Sequence, residues 1–257
     1  MSQNEMYTFT ATDMKENPLF GEYLKSITGT NDDFWEGHIL GSQAYHVEST
    51  GKIIGLCGIN NKENLTFFYI QPTSWREAQP AYITMLETLK PLYSLVATND
   101  ELLLSLCMDR HTKVEMQAYF WKYGDGAVRP PEYPRDLLCV ATPADIADLD
   151  IVDEDCVDED IAQGKYFVMR KDGVFIGQGF INLHSIDKSA ASIGMYVHPD
   201  FRQKGVGRSI IMHLVEICRE KGIAPYCGCW YYGHESKATL QSAGFITKTR
   251  CLKVWLS

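Results

Sequence analysis

The 257-residue chain is short of positive charge: 24 Lys and Arg stand against 33 Asp and Glu, a formal net charge of -9 at pH 7. That balance speaks against a nucleic-acid partner, whose phosphates need a basic face. Long apolar runs are also lacking. None approaches the about 20 residues of a membrane-spanning helix, so no membrane association is expected. The opening "MSQNEMYTFT" is polar and has no apolar core of a secretion signal, which points to a cytoplasmic protein. The eight cysteines (57, 107, 139, 156, 218, 227, 229 and 251) include no Cys-x-x-Cys pair, so neither a metal site nor a redox motif is expected. They read as buried, reduced thiols. What is plentiful is core material. With 45% hydrophobic and 12% aromatic residues, the chain can fill one large domain or two ordinary ones.

Against this acidic background one stretch concentrates positive charge and bare backbone: "HPDFRQKGVGRSII", His198 to Ile211. The segment before it, "ASIGMYVHP", is rich in strand formers and ends at Pro199. After it, Ile210, Ile211, Leu214, Val215 and Cys218 recur at helical spacing, and Gly222 follows a basic last turn as the stop. The order is strand, glycine-containing turn, helix. The first N–H groups of a helix lack intrahelical partners and carry partial positive charge. Gly205 and Gly207 remove side chains that would keep an anion away from them, and Arg202, Lys204 and Arg208 add charge around the same point. The pattern suits a phosphate or pyrophosphate; a tight turn with solvated charges would have the same composition.

Arg202-x-x-Gly205-x-Gly207, after a strand ending Met-Tyr-Val-His-Pro, resembles the acetyl-CoA-binding motif of the GNAT N-acetyltransferase superfamily. Downstream, "PYCGCWYYGHESKATLQSAGF" is similar to the same family's strand, loop and last helix, closing at Gly244-Phe245. The resemblance spans roughly residues 136 to 257. It implies acetyl-CoA as cosubstrate and places Met195, Tyr196, Val197, Arg202, Gln203, Lys204, Gly205, Val206, Gly207, Arg208 and Ser236 around it.

The chain also repeats itself. "YHVES-TGKIIGLCGIN" (45–60) matches "YFVMRKDGVFIGQGFIN" (166–182): Gly51 with Gly173, Gly55 with Gly177, Ile59 with Ile181 and Asn60 with Asn182, each 122 residues apart. Tyr69 and Pro72 then match Tyr196 and Pro199 at a separation of 127. At that offset Ala78, Pro80 and Trp75 stand where Gly205, Gly207 and Arg202 stand in the second copy. The expected fold is therefore α+β: two tandem GNAT-like lobes, each a mixed, mostly antiparallel sheet flanked by helices. The first, 1–129, would be degenerate, without a phosphate loop; the second, 136–257, would bind acetyl-CoA. Prolines 130, 131 and 134 mark the boundary. "TPADIADL" is expected as a helix capped by Thr142, with Pro143 and Asp145 following.

The resemblance implies acetyl transfer to an amine, with a splayed strand at Ile193–His198 offering backbone donors to the thioester oxygen. The family's usual glutamate base falls on Ser192 and its tyrosine acid on Leu240, neither of which can do that chemistry. Tyr231, Tyr232 and His184 are the remaining candidates, alongside His198 as a proton relay. Gly233 or His234 replaces the asparagine that opens the last helix. Nine carboxylates between Asp145 and Asp160 lie in the stretch that lines the family's acceptor entrance. They could steer a cationic amine, or simply form a solvated face. The expected activity is N-acetylation of a small-molecule amine. Alternatives are a protein N-terminus or lysine as acceptor, or a non-catalytic acyl-CoA-binding protein.

Overall fold

A computed structural model describes residues 6–124, 129–150 and 157–257. It divides into two compact units, one of Met1–Tyr119 with Thr249–Ser257, the other of Phe120–Lys248. The last nine residues of the chain thus pack with the first unit.

The first unit runs β1 (Tyr7–Thr12), α1 (Pro18–Ser26), α2 (Asp33–Leu40), β2 (Gln43–Ser49), β3 (Lys52–Asn60), β4 (Asn64–Ile70), α3 (Ala78–Leu89), β5 (Tyr93–Ala97), α4 (Glu101–Asp109) and β6 (His111–Tyr123), the last of which crosses into the second unit. Local chemistry sets the helix starts. Asn17, Asp32 and Asp100 each accept a hydrogen bond from a first-turn N–H, of Leu19, Trp35 and Leu103. Strands β1 to β4 pair antiparallel in chain order, and β4 pairs parallel with β5. The core lies between this sheet and α3, around Phe68, Tyr82 and Met85.

The second unit runs β7 (Leu138–Val140), α5 (Val157–Ala162), β8 (Tyr166–Lys171), β9 (Val174–Leu183), β10 (Ala190–Val197), α6 (Val206–Glu220), β11 (Ala224–Trp230), α7 (His234–Ser242) and β12 (Phe245–Leu256), whose end belongs to the first unit. Strands β7 to β10 are antiparallel neighbours and β10 pairs parallel with β11. Thr142–Asp145 forms the expected capping box, but the turn it opens, Pro143–Asp148, is a 3-10 helix. There Asp145 and Asp148 both accept from Arg170.

The two units are copies in detail. Thr50-Gly51 and Asp172-Gly173 both adopt left-handed backbone, with φ of 48° and 80° against 52° and 79°, the signature of a two-residue hairpin turn. A Cβ on Gly55 would lie 2.1 Å from the Tyr69 carbonyl oxygen, and one on Gly177 2.7 Å from that of Tyr196. Trp75 Nε1 donates to the Ile70 carbonyl at 3.1 Å, as Arg202 Nε donates to that of Val197 at 3.3 Å. Each sheet also splays at the same place. The parallel register ends at Leu65/Ser94 in the first unit and at Ser192/Tyr226 in the second, while all four strands run on. Both copies are mixed, mostly antiparallel α/β units, as the repeat predicts.

Candidate functional site

In the second unit the splay opens a cavity of about 540 Å³, within the range of small-molecule sites. One wall is the free end of β10, with Met195, Tyr196 and Val197. Antiparallel alternation sends Met195 and Val197 to the α6 side, where both approach Gly207. The floor is the turn carrying Phe201, Arg202 and Gln203, followed by Gly205, Val206, Gly207 and Arg208 at the start of α6. The far wall is one face of α7: Glu235, Ser236, Ala238, Thr239 and Ser242.

The backbone of the turn is built for close approach. Gln203 and Gly205 are left-handed, at φ of 59° and 82°. Gly205 caps α6, whose first intrahelical bond runs from the Ser209 N–H to the Gly205 carbonyl. The N–H groups of Val206, Gly207 and Arg208 precede that bond and face the anion-favouring end of the helix. A Cβ on Gly207 would lie 3.2–3.4 Å from Thr239, Val197 and Met195, all of them cavity residues. It would therefore intrude among the lining side chains.

The cations do not all point inward. Arg202 lines the cavity, its Nε tied to Val197. Lys204 donates to the Asp200 carbonyl and lies over the Phe201 ring; it is not among the lining residues. The Arg208 side chain is buried, and its guanidinium donates from Nη2 to Glu132 at 2.6 Å. Glu132 belongs to the proline-rich boundary segment. That segment is pinned to α6 by N–H donations from Glu132 and Tyr133 to Ser209 Oγ, and by His213 Nε2–H donating to the Tyr133 carbonyl.

The catalytic candidates separate. Tyr231 and Tyr232 sit in the turn between β11 and α7, rings 5.1 Å apart, with Tyr232 exposed; neither lines the cavity. Leu240 is buried in α7. His198 accepts from the Asp200 N–H. His184 is buried at the end of β9, its Nε2 3.0 Å from Ser192 Oγ and its ring stacked 5.8 Å from Tyr226. Ser192 and Tyr226 are the last parallel pair before the splay, so this His–Ser pair lies at its base. Its face is the one away from α6, shared with Tyr196 and Gln178.

On that face Gln178 holds the backbone of Asp150 through two 2.7 Å hydrogen bonds. Asp150 lies within the acidic segment. Asp153, Glu154 and Asp155 lie outside the described residues. Of the others, Asp145 and Asp148 are paired with Arg170 and Asp160 with Lys165, which neutralises part of the field. Of the seven cysteines among the described residues, Cys57, Cys107, Cys218, Cys227 and Cys251 are buried, Cys229 is half-buried and Cys139 is exposed, the last a departure from the expected burial. Its strand, β7, is a three-residue edge of the sheet.

Residues 13–124 match an acetyltransferase (GNAT) domain family, and residues 134–245 match the acetyltransferase (GNAT) family. The chain is a tandem member of the GNAT acetyltransferase family. Solved structures agree on the fold. A GNAT-family acetyltransferase from Colwellia psychrerythraea superposes with a TM-score of 0.84 at 15% identity, over 98% of this chain and 99% of its own. A GCN5-related N-acetyltransferase from Sphaerobacter thermophilus gives 0.62 at 13% identity, over 100% and 96%. A tandem GNAT protein from the clavulanic acid biosynthesis pathway gives 0.59 at 13%, over 96% and 97%. No curated protein matches the chain. In this tandem GNAT protein, the face of α7 is what the sequence analysis missed. Thr239 and Ser242 recur at helical spacing from Glu235, a signal present in the sequence.

Proposed function

We propose that the second lobe transfers the acetyl group of acetyl-CoA to the amine of a small molecule. The observation that carries this is the cavity at the splay, walled by β10 and α7 and floored by the bare backbone of the α6 N-terminus. The pyrophosphate would rest on the N–H groups of Val206, Gly207 and Arg208, with Arg202 beside it. The pantetheine arm and thioester would lie along Met195, Tyr196 and Val197, whose backbone has no β11 partner in the parallel register. Donors from that strand would stabilise the oxyanion as the amine adds to the thioester carbonyl; such contacts are worth roughly 3 kcal/mol.

His184, acting through Ser192, is the proton acceptor this geometry supports best. The serine stands where the family's glutamate is expected, and the histidine supplies the basicity the serine lacks. The amine loses its proton toward Ser192 Oγ and His184, the C–N bond forms, the C–S bond breaks, and the thiolate leaves to be protonated. The acidic segment anchored by Gln178 would flank the acceptor side. A non-catalytic acyl-CoA-binding role is the second reading, favoured by Leu240 at the position of the acid.

A screen of amines and of peptides with acetyl-CoA, read by mass spectrometry, tests the assignment. Acetylated small amines, dependent on His184, are the expected result. Acetylated peptides alone would move the acceptor to protein. Tight binding of acetyl-CoA with no product from either pool would establish the second reading.

A further inference from the structure

The first lobe keeps the splay but not the phosphate cradle, and the sign of its lining is inverted. Its cavity, about 500 Å³, opens beside β4 as its counterpart opens beside β10. The second-lobe cavity is lined by two arginines, Arg202 and the Glu132-paired Arg208, and by one carboxylate, Glu235. The first-lobe cavity is lined by two carboxylates, Asp100 and Glu101, and by no Lys, Arg or His. Around them stand four aromatic rings, Tyr23, Phe68, Tyr69 and Trp75.

Trp75 occupies the station of Arg202 and makes the same hydrogen bond to the strand. One edge of its indole is thereby fixed, yet 63% of the residue is exposed. The exposed indole beside the cavity presents a π face on which a cation can stack. Tyr23 is buried, and its hydroxyl donates to Asp100 Oδ2 at 3.0 Å, while the Leu103 N–H donates to Oδ1. Two of the about four acceptor directions of that carboxylate are used, leaving two. Ala78 and Pro80 stand in place of the two glycines, and a 3-10 turn, Pro72–Glu77, runs directly into α3.

We infer that the first-lobe cavity binds an organic cation: an ammonium group held by Asp100 and Glu101, carried on an apolar body that packs on Trp75, Tyr69 and Phe68. Aromatic faces attract cations through the negative face of their π-system, and the carboxylates complement the charge. The same lining repels an anion such as coenzyme A. This site is independent of the acetyl-transfer assignment, which concerns the other lobe.

The test uses the full chain labelled with fluorotryptophan and observed by fluorine NMR. The resonance of Trp75, one of five tryptophans, is identified as the one missing from Trp75→Phe. Benzyltrimethylammonium is titrated as probe, with benzoate and coenzyme A as comparisons. The expected result is a saturable shift of the Trp75 resonance with the cation and none with either anion. Glu101→Gln, at a surface position, should weaken the cation by about threefold, the size of one solvent-accessible ion pair. A Trp75 resonance unmoved by the cation overturns the proposal. So does an equal response to benzoate, which would mean apolar contact alone, or a shift with coenzyme A, which would mean a retained nucleotide site.

Discussion

Glu132 accepts a 2.6 Å hydrogen bond from the buried guanidinium of Arg208, and its Cγ stands 2.2 Å from where a Cβ on Gly205 would be. The boundary segment thus places a carboxylate against the turn that would receive a pyrophosphate. Glu132→Gln keeps a hydrogen-bonding partner for Arg208 and removes the negative charge. Acetyl-CoA affinity, measured by calorimetry, should rise by about threefold at low salt, the effect of one screened charge. The gain should fade as salt shortens the Debye length to about 3 Å near 1 M. A loss of affinity would instead make Glu132 the support that positions Arg208.

Gly207→Ala separates folding from binding. The added methyl meets Thr239, Val197 and Met195 at 3.2–3.4 Å, contacts that shifts of a few tenths of an ångström can relieve. Alanine also improves the helix by up to about 1 kcal/mol. Thermal stability should change little. The methyl protrudes between cavity walls, so the Kd for acetyl-CoA should rise by about tenfold or more, or 1.4 kcal/mol. An unchanged Kd would remove the turn from the cofactor site.

His184→Ala and Ser192→Ala should each lower kcat by about 100-fold, the usual scale of general-base catalysis. The KM for acetyl-CoA should stay within about twofold, because neither side chain lines the cofactor cavity. Steady-state kinetics with a responsive amine make the measurement. Equal losses in kcat and in acetyl-CoA affinity would indicate damage to the base of the splay rather than a proton-transfer role.

Burial pushes the carboxyls of Asp32 and Asp100 up to about 7 and about 6. In the unfolded chain they ionise near 4. Between about pH 4 and 7 the native state therefore holds protons that the unfolded chain has released, and stability falls as pH rises through this window. The melting temperature should climb as pH is lowered from about 8 to about 5. Asp32→Asn, which can still cap α2, should flatten the upper part of that climb. An unchanged slope above about pH 6 in thermal scans of the variant would show that Asp32 contributes nothing to the climb.

Much of the molecule is legible in the sequence because it depends on local pattern. Gly51 and Gly173 mark the two hairpins, since a two-residue turn needs left-handed backbone. The 122- and 127-residue offsets revealed the duplication, and the basic Gly205–Gly207 turn marked the start of α6. Where side chains end up is another matter. The sequence places Arg208 at the turn, but only the fold pairs its guanidinium with Glu132, 76 residues earlier in the chain. Only the fold sets His184 against Ser192. The rings and carboxylates around Trp75 come from segments far apart in the chain, at Tyr23, at Phe68 and Tyr69, and at Asp100 and Glu101. The physical reason is the same in each case. Turn and helix preferences are settled within a few residues, whereas charge pairing, burial and cavity lining depend on which distant segments the packed sheet brings together.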